Sequence, residues 1–387
     1  MSFRVRARPP RKTAVERACG RLTWIYICCG PILAAVTEEN LKADRRNSCL
    51  GGAGSRPRKR PPNFSTHLEE AVPVQEAPTE KSFSGRSLVA IRDLSRAEID
   101  LVLQVADRMA NGEHDGSLRG CQVALLFYEA STRTRNSFLT AVHQLGATSC
   151  GFTSAEGTSV EKGETLHDTI RMFEAYSQAI VLRHPRDGAA RWAADLSQVP
   201  VLNAGDGKNQ HPTQTLLDLH AIRATQGRLT DLRVALAGDL KFGRTVHSLA
   251  DALALYPGNR LYLASPPSLR MPPHLLEDLR AHGVEVHERE RIEEVVREVD
   301  ILYVTRIQRE RLPDETEYVK VRGTYRLTVP MLERIRSNLK VLHPLPRVDE
   351  IAPDVDSTPF AYYFQQAAGG VPVRKALLWL LLGGGHG

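Results

Sequence analysis

The chain has 387 residues, enough for two ordinary globular domains, and its hydrophobic (42%) and charged (25%) fractions are typical of a soluble folded protein. The net charge of +6 is uneven, because residues 1–60 carry 14 Lys or Arg against 4 Asp or Glu, whereas residues 61–387 carry 37 against 41. A body so close to neutral excludes a basic nucleic-acid-binding surface, and the six cysteines, which form no CxxC pair and no Cys/His cluster, argue against structural zinc.

Residues 1–81 are predicted to form a basic leader, separate from the folded body. The apolar stretch 22–36 has the proportions of a signal peptide, but it starts late in the chain and is too short for a comfortable membrane span. Residues 51–62, rich in Gly, Pro and Arg, are typical of a disordered linker. The leader is therefore either a targeting segment or an upstream region that does not fold. We expect a cytoplasmic protein, or an organellar one if the leader directs it there.

From Ser82 onward, short apolar strand patterns alternate with helical patterns, which is typical of a parallel sheet covered on both faces. The predicted strands of the first half are 123–128, 147–152, 178–182 and 199–202. The predicted helices are 91–109, with Asp93 and Ser95 as cap candidates, 135–145, 164–176, 188–196 and 213–225. Cys121 and Cys150 lie in the strand-like runs and are expected to be buried free thiols.

The alternation of strand and helix patterns starts again after residues 226–228 (Gln-Gly-Arg), which predicts a domain boundary there. Further strands are predicted at 232–237, 261–264, 284–287, 300–304 and 340–342, with a helix at 245–255. A last helix, 364–382, is expected to pack back onto the first domain. We therefore predict two doubly wound α/β domains, residues 82–226 and 227–362, followed by a C-terminal helical segment, residues 363–387.

A polar turn directly follows the first predicted strand. Residues 127–135 read Phe-Tyr-Glu-Ala-Ser-Thr-Arg-Thr-Arg, so a strand ends and a helix begins within five residues. The N–H groups and the positive dipole end of such a helix favour an anion. Ser131, Thr132 and Thr134 add hydroxyl donors, and Arg133 offers a planar fork for phosphate oxygens. From the residues alone, a capped helix start with surface arginines is the alternative.

Two other polar segments follow predicted strands. His211 and Gln214 stand three apart in Gln-His-Pro-Thr-Gln, where Pro212 suits the first helical position, so both side chains can face one point. Imidazole and amide groups can each donate to a carbonyl oxygen, although a histidine here is also a common cap or core residue. Arg183 lies at the carboxyl end of a predicted strand, where open α/β sheets bind ligands; the alternative is an ordinary surface arginine.

Four more segments are candidates for a binding site. Residues 158–164 (Thr-Ser-Val-Glu-Lys-Gly-Glu) form a polar loop before a helix. Residues 238–245 (Gly-Asp-Leu-Lys-Phe-Gly-Arg-Thr) are the first strand-to-helix turn of the second domain, and residues 305–308 (Thr-Arg-Ile-Gln) end a later strand. In residues 342–347 (Leu-His-Pro-Leu-Pro-Arg), two prolines predict a rigid turn in which the bond between Leu345 and Pro346 is a candidate for the cis form.

Together, in this order, these motifs resemble the aspartate and ornithine carbamoyltransferase family over some 300 residues, from about Ser82 to Leu382. The Ser-Thr-Arg-Thr-Arg and His-Pro-x-Gln motifs mark the family as a whole. The other four segments, at 159–164, 238–245, 305–308 and 343–347, are similar to the aspartate branch. The ornithine branch typically has a cysteine where this chain has Pro344. The leader is outside the resemblance.

The resemblance implies transfer of a carbamoyl group from carbamoyl phosphate to L-aspartate, giving N-carbamoyl-L-aspartate and phosphate, the committed step of pyrimidine (UMP) biosynthesis. It implies that carbamoyl phosphate binds to Ser131, Thr132, Arg133, Thr134, Arg183, His211, Gln214, Leu345 and Pro346, and that aspartate binds to Lys162, Arg244, Arg306 and Gln308. The residues expected to act in catalysis are Arg133, His211 and Lys162. Neither a metal nor an organic cofactor is implied, because positioning and charge complementarity do most of the catalysis.

The resemblance further implies an assembly of several subunits. Ser159 and Lys162 are similar to the family's mobile loop, which reaches into the active site of the neighbouring subunit. At least a homotrimer with shared sites is therefore expected, with closure of the two domains on aspartate binding. Some relatives combine two trimers with separate regulatory chains, of which this sequence gives no secure sign. No nucleic-acid or membrane partner is expected.

Two alternative functions are considered. One is a carbamoyltransferase for another amine. The other is a catalytically inactive homologue with an assembly or regulatory role, which predicts the loss of catalytic positions. This chain retains every one of those positions: Arg133, Lys162, Arg183, His211, Gln214, Arg244 and Arg306.

Overall fold

The computed structural model of the chain describes residues 77–307 and 325–384. The predicted leader lies outside the described residues except for 77–81, and Gln308 lies outside them as well. Within this part, the predicted fold class of two parallel α/β sheets is confirmed. No helix in the described ranges is long and apolar enough to cross a membrane.

The first sheet has the strand order β2-β1-β3-β4, and all its strands are parallel. Its strands are β1 (Gln122–Phe127), β2 (Thr148–Phe152), β3 (Ala179–His184) and β4 (Val201–Asp206). The helices of this half are α1 (Arg96–Ala110), α2 (Thr132–Gln144), α3 (Leu166–Tyr176), α4 (Ala189–Leu196) and α5 (Pro212–Gln226).

The second sheet has the strand order β7-β6-β5-β8-β9 and is also parallel. Its strands are β5 (Arg233–Ala237), β6 (Arg260–Ala264), β7 (Glu285–Arg289), β8 (Ile301–Val304) and β9 (Lys340–Leu342). The helices of this half are α6 (Arg244–Ala254), α7 (Pro273–Ala281), α8 (Tyr363–Ala368) and α9 (Gly370–Leu381).

The side chains of each strand alternate between two cores. Val123 and Leu125 of β1 pack in a core that α1, α2, α5 and α9 share, whereas Ala124 and Leu126 pack against α3 and α4. The first core continues into the second sheet, where it takes in Val234 of β5 together with α6 and α7. Because strands buried on both faces read as continuous apolar runs, the strand positions could be predicted closely from the sequence.

The start of α1 differs from the prediction of a helix over 91–109. Residues Ile91–Asp93 form a separate 3₁₀ turn, and Asp93 accepts a hydrogen bond from the N–H of Ala90 (3.0 Å). Ser95 then caps α1, because its hydroxyl accepts from the N–H of Glu98 (3.3 Å) and the Glu98 carboxylate accepts from the N–H of Ser95 (2.8 Å). Both predicted caps thus act as caps, but on two consecutive elements.

The C-terminal segment and α7 also depart from the prediction. The expected single helix over 364–382 is two helices, α8 and α9, and α9 packs against α1 and α2 of the first domain. Pro372 has no N–H to donate to the carbonyl four residues earlier, which explains why a new helix begins just before it. Helix α7 was not predicted. It begins at Pro273, and the first helical position tolerates a proline because the N–H there has no acceptor within the helix.

The two cysteines of the body are free thiols, as predicted. Both are partly exposed rather than buried. Cys150 lies in β2, at the edge of its sheet, and Cys121 directly precedes β1. Positions at the margin of a sheet have neighbours on fewer sides, which accounts for the incomplete burial.

Candidate active site

A cavity of about 1330 Å³ lies at the carboxyl ends of the strands of both sheets. In the first sheet β1 stands between β2 and β3, and in the second β5 stands between β6 and β8. Ligands of open α/β sheets bind where the strand order reverses in this way. The polar segments that follow β1, β3, β5 and β8 therefore meet at one place. The predicted site residues that line the cavity are Ser131, Thr132, Arg133, Thr134, Arg183, His211, Gln214, Arg244, Arg306, Leu345 and Pro346.

The turn at residues 131–134 opens α2 at the floor of the cavity. Ser131 is the N-cap residue of α2, but its side chain makes no capping hydrogen bond. The first N–H groups of a helix have no acceptor within the helix, and the positive end of the helix dipole adds to their attraction for an anion. Arg133 stands in the same turn, and burial lowers the pKa of its guanidinium. This turn combines backbone donors, hydroxyls and a cation, as phosphate binding requires.

Arg183 is the last residue but one of β3 and is largely buried, with 16% of its side chain exposed. Its Nη1 donates to the carbonyl of Ala204 (3.1 Å), and its Nε lies 3.6 Å from a carboxylate oxygen of Glu129. Burial lowers the pKa of Arg183, Glu129 opposes this effect, and the charge of Arg133 adds to it. A buried guanidinium beside a second cation is stabilised by an anionic ligand.

Gly205 in β4 brings Arg183 close to Arg244. Its φ is +116°, and a Cβ at this position would lie 2.9 Å from Nη1 of Arg183 and 2.7 Å from Nη2 of Arg244. Arg244 is the first residue of α6, in the second half of the chain, and its Nη1 donates to the carbonyl of Gly207 (2.5 Å). A bare backbone at Gly205 thus allows cations from both halves to face the same space.

Gly238 has a similar role at the end of β5. Its φ is +112°, and a Cβ there would lie 2.3 Å from the carbonyl oxygen of Thr305. The N–H groups of Lys241 and Phe242 donate to Oδ1 of the buried Asp239 (3.2 and 2.9 Å), which shapes the loop before Arg244. The close approach of the two strand ends places the loops that carry Arg244 and Arg306 side by side.

His211 lies at the N-cap position of α5 and is 5% exposed. Burial holds the pKa of its imidazole well below the usual value, and the positive charges of Arg244, Arg183 and Arg374 lower it further. The ring is therefore neutral, and the hydroxyl of Thr213 lies 3.5 Å from Nδ1. Three residues later, Nε2 of Gln214 donates to Oδ1 of Asp218 (2.8 Å). A neutral imidazole and an oriented amide suit recognition of an uncharged carbonyl and amine.

The turn at residues 343–346 closes the cavity from the second half of the chain. The bond between Leu345 and Pro346 is cis, as the sequence suggested. Nδ1 of the buried His343 accepts from the N–H of Leu345 (2.8 Å), so Nε2 carries the proton and donates to Glu350 (2.6 Å). Burial lowers the pKa of His343, although Glu350 opposes this effect. These bonds fix the backbone of Leu345 and Pro346 at the cavity wall.

Lys162 is not among the residues that line the cavity of the single chain. It is exposed, at the end of the 3₁₀ turn Ser159–Lys162 that precedes α3. Gln308, the other predicted aspartate contact, lies outside the described residues. The roles of Lys162 and Gln308 stay predictions.

Sequence reasoning did not identify Arg374, which lines the cavity from α9. Its Nη1 donates to the hydroxyl of Ser137 (2.7 Å), and its guanidinium lies over the ring of Phe138 at 5.0 Å from the centroid. Burial lowers the pKa of Arg374 to about 10, and the charge of Asp218 opposes this. A signal was present in the sequence, because Arg374 and Lys375 interrupt an otherwise apolar helix.

Comparison with known proteins assigns family descriptions to both halves. Residues 86–224 match "Aspartate/ornithine carbamoyltransferase, carbamoyl-P binding domain", and residues 230–381 match "Aspartate/ornithine carbamoyltransferase, Asp/Orn binding domain". Among curated relatives, the aspartate carbamoyltransferase catalytic subunit of Thermococcus onnurineus is 55% identical over 305 residues, which are 78% of this chain and 98% of the relative. The corresponding subunit of Chromobacterium violaceum is 54% identical over 297 residues, which are 77% of this chain and 98% of the relative.

Solved structures give the same result. The catalytic subunit of M. jannaschii aspartate transcarbamoylase has a TM-score of 0.71 and 46% identity, and the match covers 76% of this chain and 96% of the other. Aspartate transcarbamoylase from Trypanosoma cruzi, solved in complex with carbamoyl phosphate and aspartate, has a TM-score of 0.74 and 37% identity, with 79% and 100% of the two chains covered.

Proposed function

This chain belongs to the aspartate/ornithine carbamoyltransferase family, and we infer that it transfers the carbamoyl group of carbamoyl phosphate to L-aspartate. The observation that carries the inference is the arrangement of cations around one cavity. Arg133 and Arg183 stand at an anion-binding helix start on one side, and Arg244 and Arg306 follow strands of the second sheet on the other. One side suits a phosphate, and the other suits the two carboxylates of aspartate.

The reaction joins the amine nitrogen of aspartate to the carbamoyl carbon. The new C–N bond forms while the C–O bond to phosphate breaks, and the phosphate leaves with the electron pair. The amine loses one proton, which the departing phosphate or water takes up. Negative charge builds up on the carbamoyl oxygen during the attack and on the phosphate as it leaves. Groups that meet these two charges more strongly in the transition state than in the ground state accelerate the reaction.

His211 suits the first of these charges. Its imidazole is neutral, so it can donate one N–H to the carbamoyl oxygen without holding a fixed positive charge against the neighbouring arginines. Arg133 and Arg183 suit the second charge, since guanidinium groups pair with phosphate oxygens in a planar fork. Preorganised donors of this kind stabilise the transition state because they need not reorient during the reaction.

We also propose that the active unit is a homotrimer in which Lys162 acts on the site of a neighbouring subunit. Lys162 is exposed and lies away from the cavity of its own chain. The helix that follows it, α3, exposes the large apolar side chains Met172 (46%) and Tyr176 (52%). An exposed apolar face beside a displaced cationic loop supports contact with a second copy.

The test uses purified protein with carbamoyl phosphate and either L-aspartate or L-ornithine, and measures the carbamoylated product by mass spectrometry. N-carbamoyl-L-aspartate is expected as the product, with no product from ornithine. The variant His211→Ala is expected to lower kcat by about 100-fold or more, because it removes a donor to the developing oxyanion. Product from ornithine or another amine, and none from aspartate, would show that the substrate assignment is wrong. Unchanged turnover in His211→Ala would remove His211 from the mechanism.

A further inference from the structure

Asp218 lies on α5, one turn after Gln214, and its side chain is completely buried. Both carboxylate oxygens accept hydrogen bonds. Oδ1 accepts from Nε2 of Gln214 (2.8 Å) and from Nε2 of Gln366 (2.6 Å), and Oδ2 accepts from the hydroxyl of Tyr303 (2.8 Å). Three side chains from separate elements, α5, α8 and β8, therefore meet at one carboxyl group.

The burial of this carboxylate is costly for the fold. None of its three direct donors carries a charge, and burial raises the pKa of Asp218 to about 7, although those hydrogen bonds and the charge of Arg374 oppose the rise. A well-packed apolar residue would stabilise such a position at least as well. The further contacts of the three donors indicate that Asp218 has a role beyond packing.

The first donor is a predicted carbamoyl contact. Because Nε2 of Gln214 is held by Asp218, the carbonyl oxygen Oε1 is the polar end of that amide left to face a ligand. An acceptor at this point suits the NH₂ group of a carbamoyl, whereas the neutral His211 suits its oxygen. If the Gln214 amide were rotated by 180°, it would present a donor to a donor. Asp218 thus decides which way the carbamoyl group can bind.

The other two donors connect Asp218 with the second half of the site. Tyr303 lies in β8, three residues before Arg306. Gln366 uses its second polar atom, Oε1, to accept from the N–H of His343 (2.8 Å), the first residue of the 343–346 turn. The same carboxylate is therefore joined to the strand that leads to Arg306 and, through Gln366, to the turn at Leu345 and Pro346.

We propose that Asp218 is a positioning residue for carbamoyl transfer: its carboxylate fixes the orientation of the Gln214 amide and ties α5 to β8 and to the 343–346 turn. The proposal rests on the proposed function of the same cavity. Asp218 acts as a hydrogen-bond acceptor, so its charge is not required. An asparagine meets the same need, since its Oδ1 can accept from both glutamines while its NH₂ donates to the oxygen of Tyr303.

The test is a double-mutant cycle on Asp218 and Gln214. Asp218→Leu, Gln214→Ala and the double variant are compared with the parent in kcat/KM for carbamoyl phosphate and in kcat and KM for aspartate. Asp218→Leu is expected to lower kcat/KM for carbamoyl phosphate by about 10- to 100-fold in the parent, but by a factor at least about threefold smaller in the Gln214→Ala background. The part of the loss that acts through the Gln214 amide is absent there, whereas the part that acts through β8 and the 343–346 turn remains. Asp218→Asn is expected to remain within about threefold of the parent.

Two further variants separate positioning from folding. Thr215→Val is the matched control, because Thr215 is buried on the same helix and its hydroxyl has no hydrogen-bond partner within residues 77–307 and 325–384. The kinetics of this variant should equal those of the parent. Tyr303→Phe, which removes a single hydroxyl from the cluster, replaces Asp218→Leu in the cycle if the leucine variant does not fold. Its smaller loss in kcat/KM should likewise shrink in the Gln214→Ala background.

Two results would overturn the proposal. One is that Asp218→Leu, or Tyr303→Phe, lowers kcat/KM for carbamoyl phosphate by the same factor in the Gln214→Ala background as in the parent. The other is an asparagine variant as impaired as the leucine variant. If the parent forms no N-carbamoyl-L-aspartate, the proposed function itself fails; if the parent is active and the cycle is additive, only the role of Asp218 fails.

Discussion

The ionisation of His211 follows from the surroundings of its ring. The ring is 5% exposed, and three arginines, Arg183, Arg244 and Arg374, raise the free energy of a positive charge there. A protonated imidazole could still donate, but it would add a fourth cation to a group of three. The neutral form carries a single N–H to donate, and the hydroxyl of Thr213 near Nδ1 can accommodate either tautomer.

The lowered pKa of His211 makes the stability of the fold depend on pH. In the unfolded chain a histidine titrates near pH 6.5, whereas folded His211 has a much lower pKa. As the pH falls below about 6.5, the unfolded state takes up a proton that the folded state does not, so the free energy of unfolding decreases by at most about 1.4 kcal/mol per pH unit. The contribution of His211 to the free energy of unfolding is therefore fully present well above pH 6.5 and is lost on acidification.

His211→Asn tests this prediction, since asparagine does not titrate. The difference in free energy of unfolding between parent and variant is expected to shift in favour of the variant by about 1.2 kcal/mol between pH 7 and pH 5.5. Urea unfolding at several pH values between 8 and 5.5 measures it, and Thr215→Val, a buried position that does not titrate, serves as the control. A difference that stays constant over this range would show that His211 is not held neutral.

At the scale of elements, most strands and the first-turn motifs could be predicted because the signals are local. A parallel strand buried on both faces is a short apolar run, and a polar turn that feeds a helix is visible in a few residues. Element boundaries depended on competing local signals. The start of α1 is an example, because Asp93 and Ser95 are both good caps and the structure uses Asp93 for the preceding 3₁₀ turn.

Ser95→Ala is expected to lower the free energy of unfolding by about 1 kcal/mol, because it leaves the N–H of Glu98 without its cap and breaks the reciprocal pair. The shift of the urea midpoint measures the effect, and the kinetic constants should not change, since Ser95 does not line the cavity. Ser95→Thr is the matched control, because it keeps the hydroxyl oxygen and should retain most of the stability. Equal midpoints for the alanine variant and the parent would rule out the cap.

At the scale of the whole molecule, residues at strand ends could be placed in the site from the sequence, whereas residues that reach it from distant segments could not. Arg133, Arg244 and Arg306 follow β1, β5 and β8, and Arg183 lies at the carboxyl end of β3, so the topology rule for parallel sheets is enough to gather them. Arg374 reaches the cavity from the last helix because α9 packs on α1 and α2. No local sequence pattern indicates that packing. Asp218 is joined to Gln366 across 148 positions of the chain.

Lys162 raises the remaining question at this scale, because a single chain does not bring it to its own cavity. If each site takes Arg133 from one subunit and Lys162 from its neighbour, two inactive variants should complement each other. Lys162→Ala and Arg133→Ala are purified separately, dissociated, mixed in equal amounts and reassociated. In a cyclic trimer, every mixed assembly has one interface that pairs an intact Arg133 with an intact Lys162, so about a quarter of all sites, and about a quarter of the parent activity, should return.

The controls are each variant carried through the same procedure alone, and the double variant Arg133→Ala/Lys162→Ala mixed with Lys162→Ala. Lys162→Ala alone, and its mixture with the double variant, contain no Lys162. Arg133→Ala alone contains no Arg133. No activity should therefore return in any of these controls. Recovery in the first mixture alone therefore requires transfer of a side chain across a subunit boundary. Mixed assemblies that form, as mass spectrometry would show, yet stay inactive would mean that Lys162 does not serve a neighbouring site.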